Sequence, residues 1–305
     1  MAEIAIIMAT YNGERFLREQ IDSILDNSFK DIELHICDDG STDGTEAIAT
    51  EYVQKYQGKV FFHKNEKNLR VIKNFLVNIK KFDAPYYMLC DQDDFWLKNK
   101  VETEVKALEC LEREYGEHSL LEIYSNYYVS DASLNNKRVV YQNDMHADFN
   151  HLVIQNWIMG CTMMVNEALL KYGRVIPPES ENHDRWLSII ASLYGHIEYI
   201  SEPLMIHRVH NQNATTQADT TSIKNRLTRV IRRYSKEGLH TFREKNIKLY
   251  KDLDSIHLAQ QYPLWHFKMI ALQHGSKSFK AYKKYNFQGV DKLQTTLFGL
   301  QFLLS

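Results

Sequence analysis

The feature that most constrains this chain is a short apolar run closed by acidic or polar residues and followed by an amphipathic stretch, repeated before residue 120. "IAIIMAT", "IELHICDD" and "APYYMLCDQDD" are such runs, and continuous apolar segments of this length suit strands buried on both faces. Between the first two, "GERFLREQIDSILDNS" sets Phe16, Leu17, Ile21, Ile24 and Leu25 along one helical face, and "TEAIATEYVQKY" and "NLRVIKNFLVNIKK" read as helices around the short strand "VFFHK". Alternation of this kind predicts an α/β domain with a mostly parallel sheet covered by helices on both faces. Ligands of such sheets bind beyond the carboxyl ends of the strands. The clusters "TYNG", "DDGSTDG" and "DQDD" each follow an apolar run, so all three are expected on one edge.

Past residue 120 the alternation loosens. "LEIYSNYYVSD" and "GCTMMVN" read as strands, "HDRWLSIIASLYG" as a helix, and "HIEYISEPLMIHRVH" as a strand with its exit loop. From Ser222 onward the periodicity is helical and the charge changes sign: 16 Lys and Arg stand against 5 Asp and Glu, a net of +11, whereas residues 1–221 carry a net of −13. This divides the chain into an acidic body, 1–221, and a basic helical region, 222–305.

With 305 residues, 44% of them hydrophobic and 12% aromatic, the chain can bury a large core. No apolar run approaches the roughly 20 residues that span a bilayer. The start "MAEIAIIMATYNGE" has an acid at position 3 and no basic leader, and the four cysteines, with no CxxC pair, read as reduced thiols; both point to the cytoplasm.

"CDQDDFWLKNKVE", from Cys90, crowds three carboxylates into four residues. Numbered as a calcium loop from Asp91 it offers oxygen ligands at positions 1, 3, 9 and 12, but Trp96 stands where that loop needs glycine. A phosphatase motif of the DxDx(T/V) type fails at Phe95. Two readings stay open: a solvated acidic loop in which Asp94 caps the following helix, and a site for one divalent cation, Mn²⁺ or Mg²⁺, that leaves most positions to water and a diphosphate.

In order and spacing, "IIMATYNGERFLREQIDSIL", "IELHICDDGSTDGT" and "MLCDQDDFWLKNKVE" resemble glycosyltransferase family 2, over about residues 3–215. The resemblance implies a GT-A fold and an inverting, metal-dependent transfer from a nucleotide-activated sugar. By position it implies that Thr10 and Tyr11 line the nucleobase pocket, and that Asp38 or Asp39 accepts the N3 hydrogen bond of uracil or thymine. That pairing is chemically apt, because an imide N–H donates and a carboxylate only accepts. It implies Asp91 and Asp93 as the acids of the DxD-type motif, Asp93 at the metal and Asp91 nearer the ribose or a metal-bound water. It implies Asp184 in "ENHDRW" as the general base, and Arg208 and His210 in "HRVHNQN" at phosphate or metal. Gly160 in "GCTMMVN" would let a ligand approach the backbone. Arg70, Lys98 and Arg185 depart from the family pattern; none is a metal acid, so they bear on sugar and acceptor choice.

The expected donor is a UDP- or dTDP-sugar and the expected acceptor a glycan or lipid-linked glycan. The alternatives are a nucleotidyltransferase of related architecture, for which "ATYNGERF" lacks the glycine-rich basic loop, and a non-catalytic binding protein, which would have lost the acids. The basic region carries no nucleic-acid motif; an anionic membrane surface at the cytoplasmic face is its expected partner.

Overall fold

The computed structural model describes residues 3–142, 145, 147–173, 182–210, 232–256 and 262–305. The expected boundary at 221/222 lies outside them. The first half alternates β1 (Ile4–Thr10), α1 (Leu17–Leu25), β2 (Ile32–Asp38), α2 (Thr45–Lys55), β3 (Val60–Lys64), α3 (Arg70–Asn78) and β4 (Tyr86–Asp91). A two-residue β5 (Phe95–Trp96), α4 (Lys100–Tyr115), β6 (Leu121–Ser130), β7 (Arg138–Val139) and α5 (Phe149–Leu152) follow. Then come a 3-10 turn (Gly160–Thr162), β8 (Met163–Asn166), α6 (Glu167–Gly173), α7 (His183–Tyr194) and β9 (His196–Arg208). The described C-terminal elements are helical: α8 (Lys236–Asp254), α9 (Tyr262–Ala271), α10 (Gly275–Lys284) and α11 (Lys292–Leu304).

The strands form one sheet in the order β3-β2-β1-β4-β8-β6-β9-β5, with β7 on β6. Its first four strands are parallel, as expected, but β8 runs antiparallel to both β4 and β6, so the whole sheet is mixed. Parallel register sets the functional edge. Thr10 pairs with Asp38 and Ala9 with Asp91, so the polar clusters after β1, β2 and β4 emerge side by side.

Strand period 2 splits the apolar runs between two cores. Ile4, Ile6 and Met8 of β1 face one core with α1, α2 and α4, through Leu17, Ile21, Ile48, Val105 and Leu108. Ala5 and Ile7 face the other, which holds Phe75 of α3 and Trp186 and Ile190 of α7. That second core continues without a break into the C-terminal helices, through Leu249, Phe267, Tyr282, Phe298 and Phe302. Asn150 Nδ2 donates to the Tyr285 carbonyl at 3.0 Å, tying the body to the end of α10. The basic region is therefore packed against the acidic body rather than appended to it. Among the described residues no helix is long and apolar enough to cross a membrane.

Lys100 and Glu104 on α4 are fully buried and joined at 2.6 Å, and Ser125 Oγ donates to the same Glu104 oxygen at 2.7 Å. The Lys100 ammonium also lies 5.0 Å from the centre of the Trp96 ring. Breaking such a pair strands a buried charge, at a cost of about 3–5 kcal/mol, whereas removing both charges together is far milder. Lys100→Met should lower unfolding stability by about that amount, and the Lys100→Met, Glu104→Leu double variant should recover most of it in denaturant titrations.

Candidate active site at the carboxyl edge of the sheet

Four acids converge where β4 ends: Asp91 as its last residue, Asp93 and Asp94 on its exit loop, and Asp184 in the first turn of α7. Desolvation, with the neighbouring Asp94 and Asp93 carboxylates, pushes Asp91 up to about 7. Burial and Asp94 likewise raise Asp93. Carboxylates whose charged forms are disfavoured this way are relieved by cations.

Asp94 does not start the next helix, as the sequence suggested. It is completely buried, α4 begins only at Lys100 after β5, and Asp94 Oδ1 meets His207 Nδ1 at 2.8 Å and accepts from the Arg208 amide at 3.3 Å. A helix start solvates a carboxylate; here strand β9 claims it. Burial works against charge on His207, but Asp94, Asp91 and Asp93 outweigh it and push His207 up to about 9.

His210 Nε2 lies 2.7 Å from Asp93 Oδ2, so two residues 117 positions apart form one carboxylate–imidazole pair. Arg208, expected at the phosphate, is buried and acts as a clamp. Its Nε donates to the Asp93 carbonyl at 2.9 Å, Nη1 to the Ala132 carbonyl at 2.7 Å, and Nη2 to Glu19 on α1. The guanidinium also covers the Phe16 ring at 4.5 Å, and Phe16 in turn packs on His210 with centroids 4.6 Å apart. Glu19 and Phe16 were missed by sequence reasoning because both read as ordinary helix residues.

The side expected to hold the nucleobase is built from backbone capture. Asp38 accepts from Thr10 Oγ1, Ser41 Oγ and the Gly40 and Ser41 amides, which fills its four acceptor positions. Asp39 accepts from Asn65 Nδ2 and the Leu69 amide on one oxygen and from the Arg70 amide on the other. Of the pair, Asp39 is the one with a lone pair left among the described residues. Tyr11 is half exposed, while its backbone N–H and C=O both bond the Gln92 amide, at 2.9 and 3.1 Å. Gln92 lies so close over Gly13 that a Cβ there would come within 2.2 Å of its amide oxygen, so a larger residue would displace the Gln92 side chain from Tyr11.

Arg70 has φ of 64°, a left-handed conformation that costs a non-glycine residue roughly 1–2 kcal/mol. The bend aims the Arg70 amide at Asp39 Oδ2, 2.7 Å away. Arg185 Nη2 donates to the Val153 carbonyl at 2.7 Å. Beside Gly160 the space expected for a ligand is taken by His183, whose Nε2 would lie 2.9 Å from an added Cβ. Asp184 is part-exposed and accepts from the Arg185 amide at 2.6 Å; the N-cap position is Asn182.

The donor set fits a divalent cation. Asp94, Cys161 and His207 bring three ligand atoms within 4.8 Å, and Asp94 Oδ2 is buried with no hydrogen-bond partner among the described residues. That trio is sealed and includes a soft thiol. Asp93, with Asp91 near it, offers the carboxylate oxygens that suit Mn²⁺ or Mg²⁺, and His210 adds a nitrogen beside Asp93.

Residues 5–116 match the family model Glycosyl transferase family 2. The chain is 28% identical over 222 residues to the dTDP-rhamnosyl transferase RfbG of Shigella flexneri, covering 68% of this chain and 72% of RfbG. It spans 66%, 38% and 28% of the length of three other curated bacterial relatives. Its fold matches S. aureus TarS 1-349 in complex with UDP-GlcNAc at TM-score 0.58 and 18% identity, over 88% of this chain and 71% of that one. It also matches the mannosyltransferase PcManGT of Pyrobaculum calidifontis, in complex with GDP-Man and Mn²⁺, at 0.53 and 13%, over 93% and 73%. Residues 5–116 thus match glycosyltransferase family 2, and the described residues share the GT-A fold of these solved transferases.

If the Arg208 clamp orients His210 through Phe16, cutting it at its exposed end should loosen the cation pair without unfolding the protein. Glu19→Ala should raise the Mn²⁺ dissociation constant roughly tenfold or more, the scale of losses around metal ligands, read by electron paramagnetic resonance of free Mn²⁺.

Proposed function

We propose that the protein is an inverting, metal-dependent glycosyltransferase. In this reading it moves a sugar from a UDP- or dTDP-activated donor to a hydroxyl of a glycan or lipid-linked glycan in cell-surface polysaccharide synthesis, working in the cytoplasm and at the cytoplasmic face of the membrane. The observation that carries the reading is the meeting of Asp91, Asp93, His210 and Asp184 at one sheet edge, beside a carboxylate, Asp39, with acceptor capacity left. The name of RfbG, a dTDP-rhamnosyl transferase, and the UDP-GlcNAc bound by TarS support a pyrimidine-nucleotide donor. The Mn²⁺ of PcManGT supports a divalent cation.

Each residue then has a task. Asp39 accepts the N3–H of uracil or thymine, a proton that cytosine lacks. The half-exposed Tyr11 offers its ring as a wall of the base pocket. Asp93 and His210, with Asp91 beside them, hold the cation, which when bound supplies Lewis-acid stabilisation of the departing diphosphate. Asp184 takes the proton of the acceptor hydroxyl as its oxygen bonds the anomeric carbon and the carbon–phosphate oxygen bond breaks on the opposite face. The electron pair of that bond leaves with the nucleoside diphosphate.

A screen of sugar nucleotides with Mn²⁺ or Mg²⁺, read as nucleoside diphosphate release, tests the reading. UDP- or dTDP-sugars should be turned over and CDP-sugars should not. Asp93→Ala should abolish metal-dependent release, and release at the wild-type rate would refute the metal assignment. Asp184→Asn should slow transfer about 10²–10⁴-fold while leaving donor binding intact, and undiminished transfer would remove Asp184 as the base.

A further inference from the structure

We propose that α10 and α11 together form a docking surface for an anionic lipid bilayer. The proposal specifies the membrane contact named above, but its grounds are the chemistry of these two helices alone. The inward side of α11 is fully used. Phe298 and Phe302 pack on Phe242 of α8 with centroids 6.4 and 4.8 Å apart, and Phe302 also meets Tyr282 of α10 at 5.5 Å. Gly299 lets α10 approach, since a Cβ there would lie 3.1 Å from Phe279 and 3.2 Å from Tyr282.

The outward side is where the pattern breaks. A helix resting on a core normally turns polar residues to water. On α11 the outward positions are Leu293, Leu297, Leu300 and Leu304, spaced four, three and four, with Leu293 65%, Leu300 38% and Leu304 58% exposed. Lys292 is the only charged residue of that helix. Beside this stripe α10 exposes Lys277, Lys280, Lys283 and Lys284, and between residues 275 and 305 Asp291 is the only acid. A cleft of about 540 Å³ lies between the two helices, lined by Lys283 and Leu300, by the rings of Phe279, Tyr282 and Phe287, and by polar side chains such as Thr296.

An apolar stripe flanked by ammonium groups suits the boundary between acyl chains and anionic headgroups: leucines enter the apolar layer and lysines extend along it to the phosphates. A second copy of the chain would fit the leucines. It would also bring five lysines and one aspartate against five lysines and one aspartate, so charge favours the bilayer over self-pairing.

Co-sedimentation of the full chain with phosphatidylglycerol/phosphatidylcholine vesicles, compared with phosphatidylcholine alone, tests this. Binding should require phosphatidylglycerol and weaken with salt. Lys280→Glu with Lys283→Glu should lower it more than tenfold, since each lysine near such a surface contributes about fivefold. Leu293→Glu, Leu300→Glu and Leu304→Glu together should abolish it. All these positions are solvent-facing, so unchanged thermal melting and unchanged nucleoside diphosphate release in solution should accompany both variants. Binding indifferent to phosphatidylglycerol, binding unaffected by either variant, or a concentration-dependent dimer that the leucine variants dissociate would overturn the proposal. The vesicle assay uses no sugar donor, so its outcome is separate from that of the transferase test.

Discussion

The structure turns on bringing like charges together. Three carboxylates on one loop and a fourth from α7 meet at a strand end where water is scarce, which raises the proton affinity of Asp91 and Asp93. Left alone such a cluster would push the loop outward. It is held because His207 pairs with Asp94, His210 pairs with Asp93, and Arg208 fastens the Asp93 carbonyl to the loop after β6 and to α1. All three come from the end of β9, so the last strand of the sheet restrains the loop that follows the fourth.

This dependence explains the mixed sheet. A purely parallel continuation would carry each new strand end to the same edge by a crossover. Here β8 returns antiparallel between β4 and β6, and β6 and β9 then run parallel so that Arg208, His207 and His210 arrive beside the acids. Behind the edge, the second core extends from Phe75 and Trp186 into Phe267 and Phe302, so the C-terminal helices share the core that backs α7. A charge count alone separates an acidic body from a basic region; packing makes them one structure.

Much of this was legible in the chain. The apolar runs before Thr10, Asp38 and Asp91 are strands, and the polar clusters after them share an edge, because parallel register puts the ends of neighbouring strands together. Asp93 and His210, which the resemblance sets at metal or phosphate, lie 2.7 Å apart. Local reasoning failed where a residue's partner is distant. Asp94 resembled a helix cap because the nearest element downstream is a helix, but its partner is His207, 113 residues away. Arg208, set at phosphate or metal by the resemblance, directs donors to Glu19, Ala132 and Asp93, up to 189 residues away. Gly160 resembled open backbone, and the ring that fills the space belongs to His183.

The sequence by itself determined the α/β alternation, the edge on which chemistry collects, and the set of acids available there, since these follow from residue type and periodicity within short windows. Tertiary structure alone decided which acid is internal and which lies beside His210, which member of the Asp38–Asp39 pair keeps an acceptor site, and that the basic region shares the core of the body. Those outcomes depend on hydrogen-bond and packing partners that lie dozens to nearly two hundred residues apart. A carboxylate's role is set by the donors around it, and no local pattern states which donors will come.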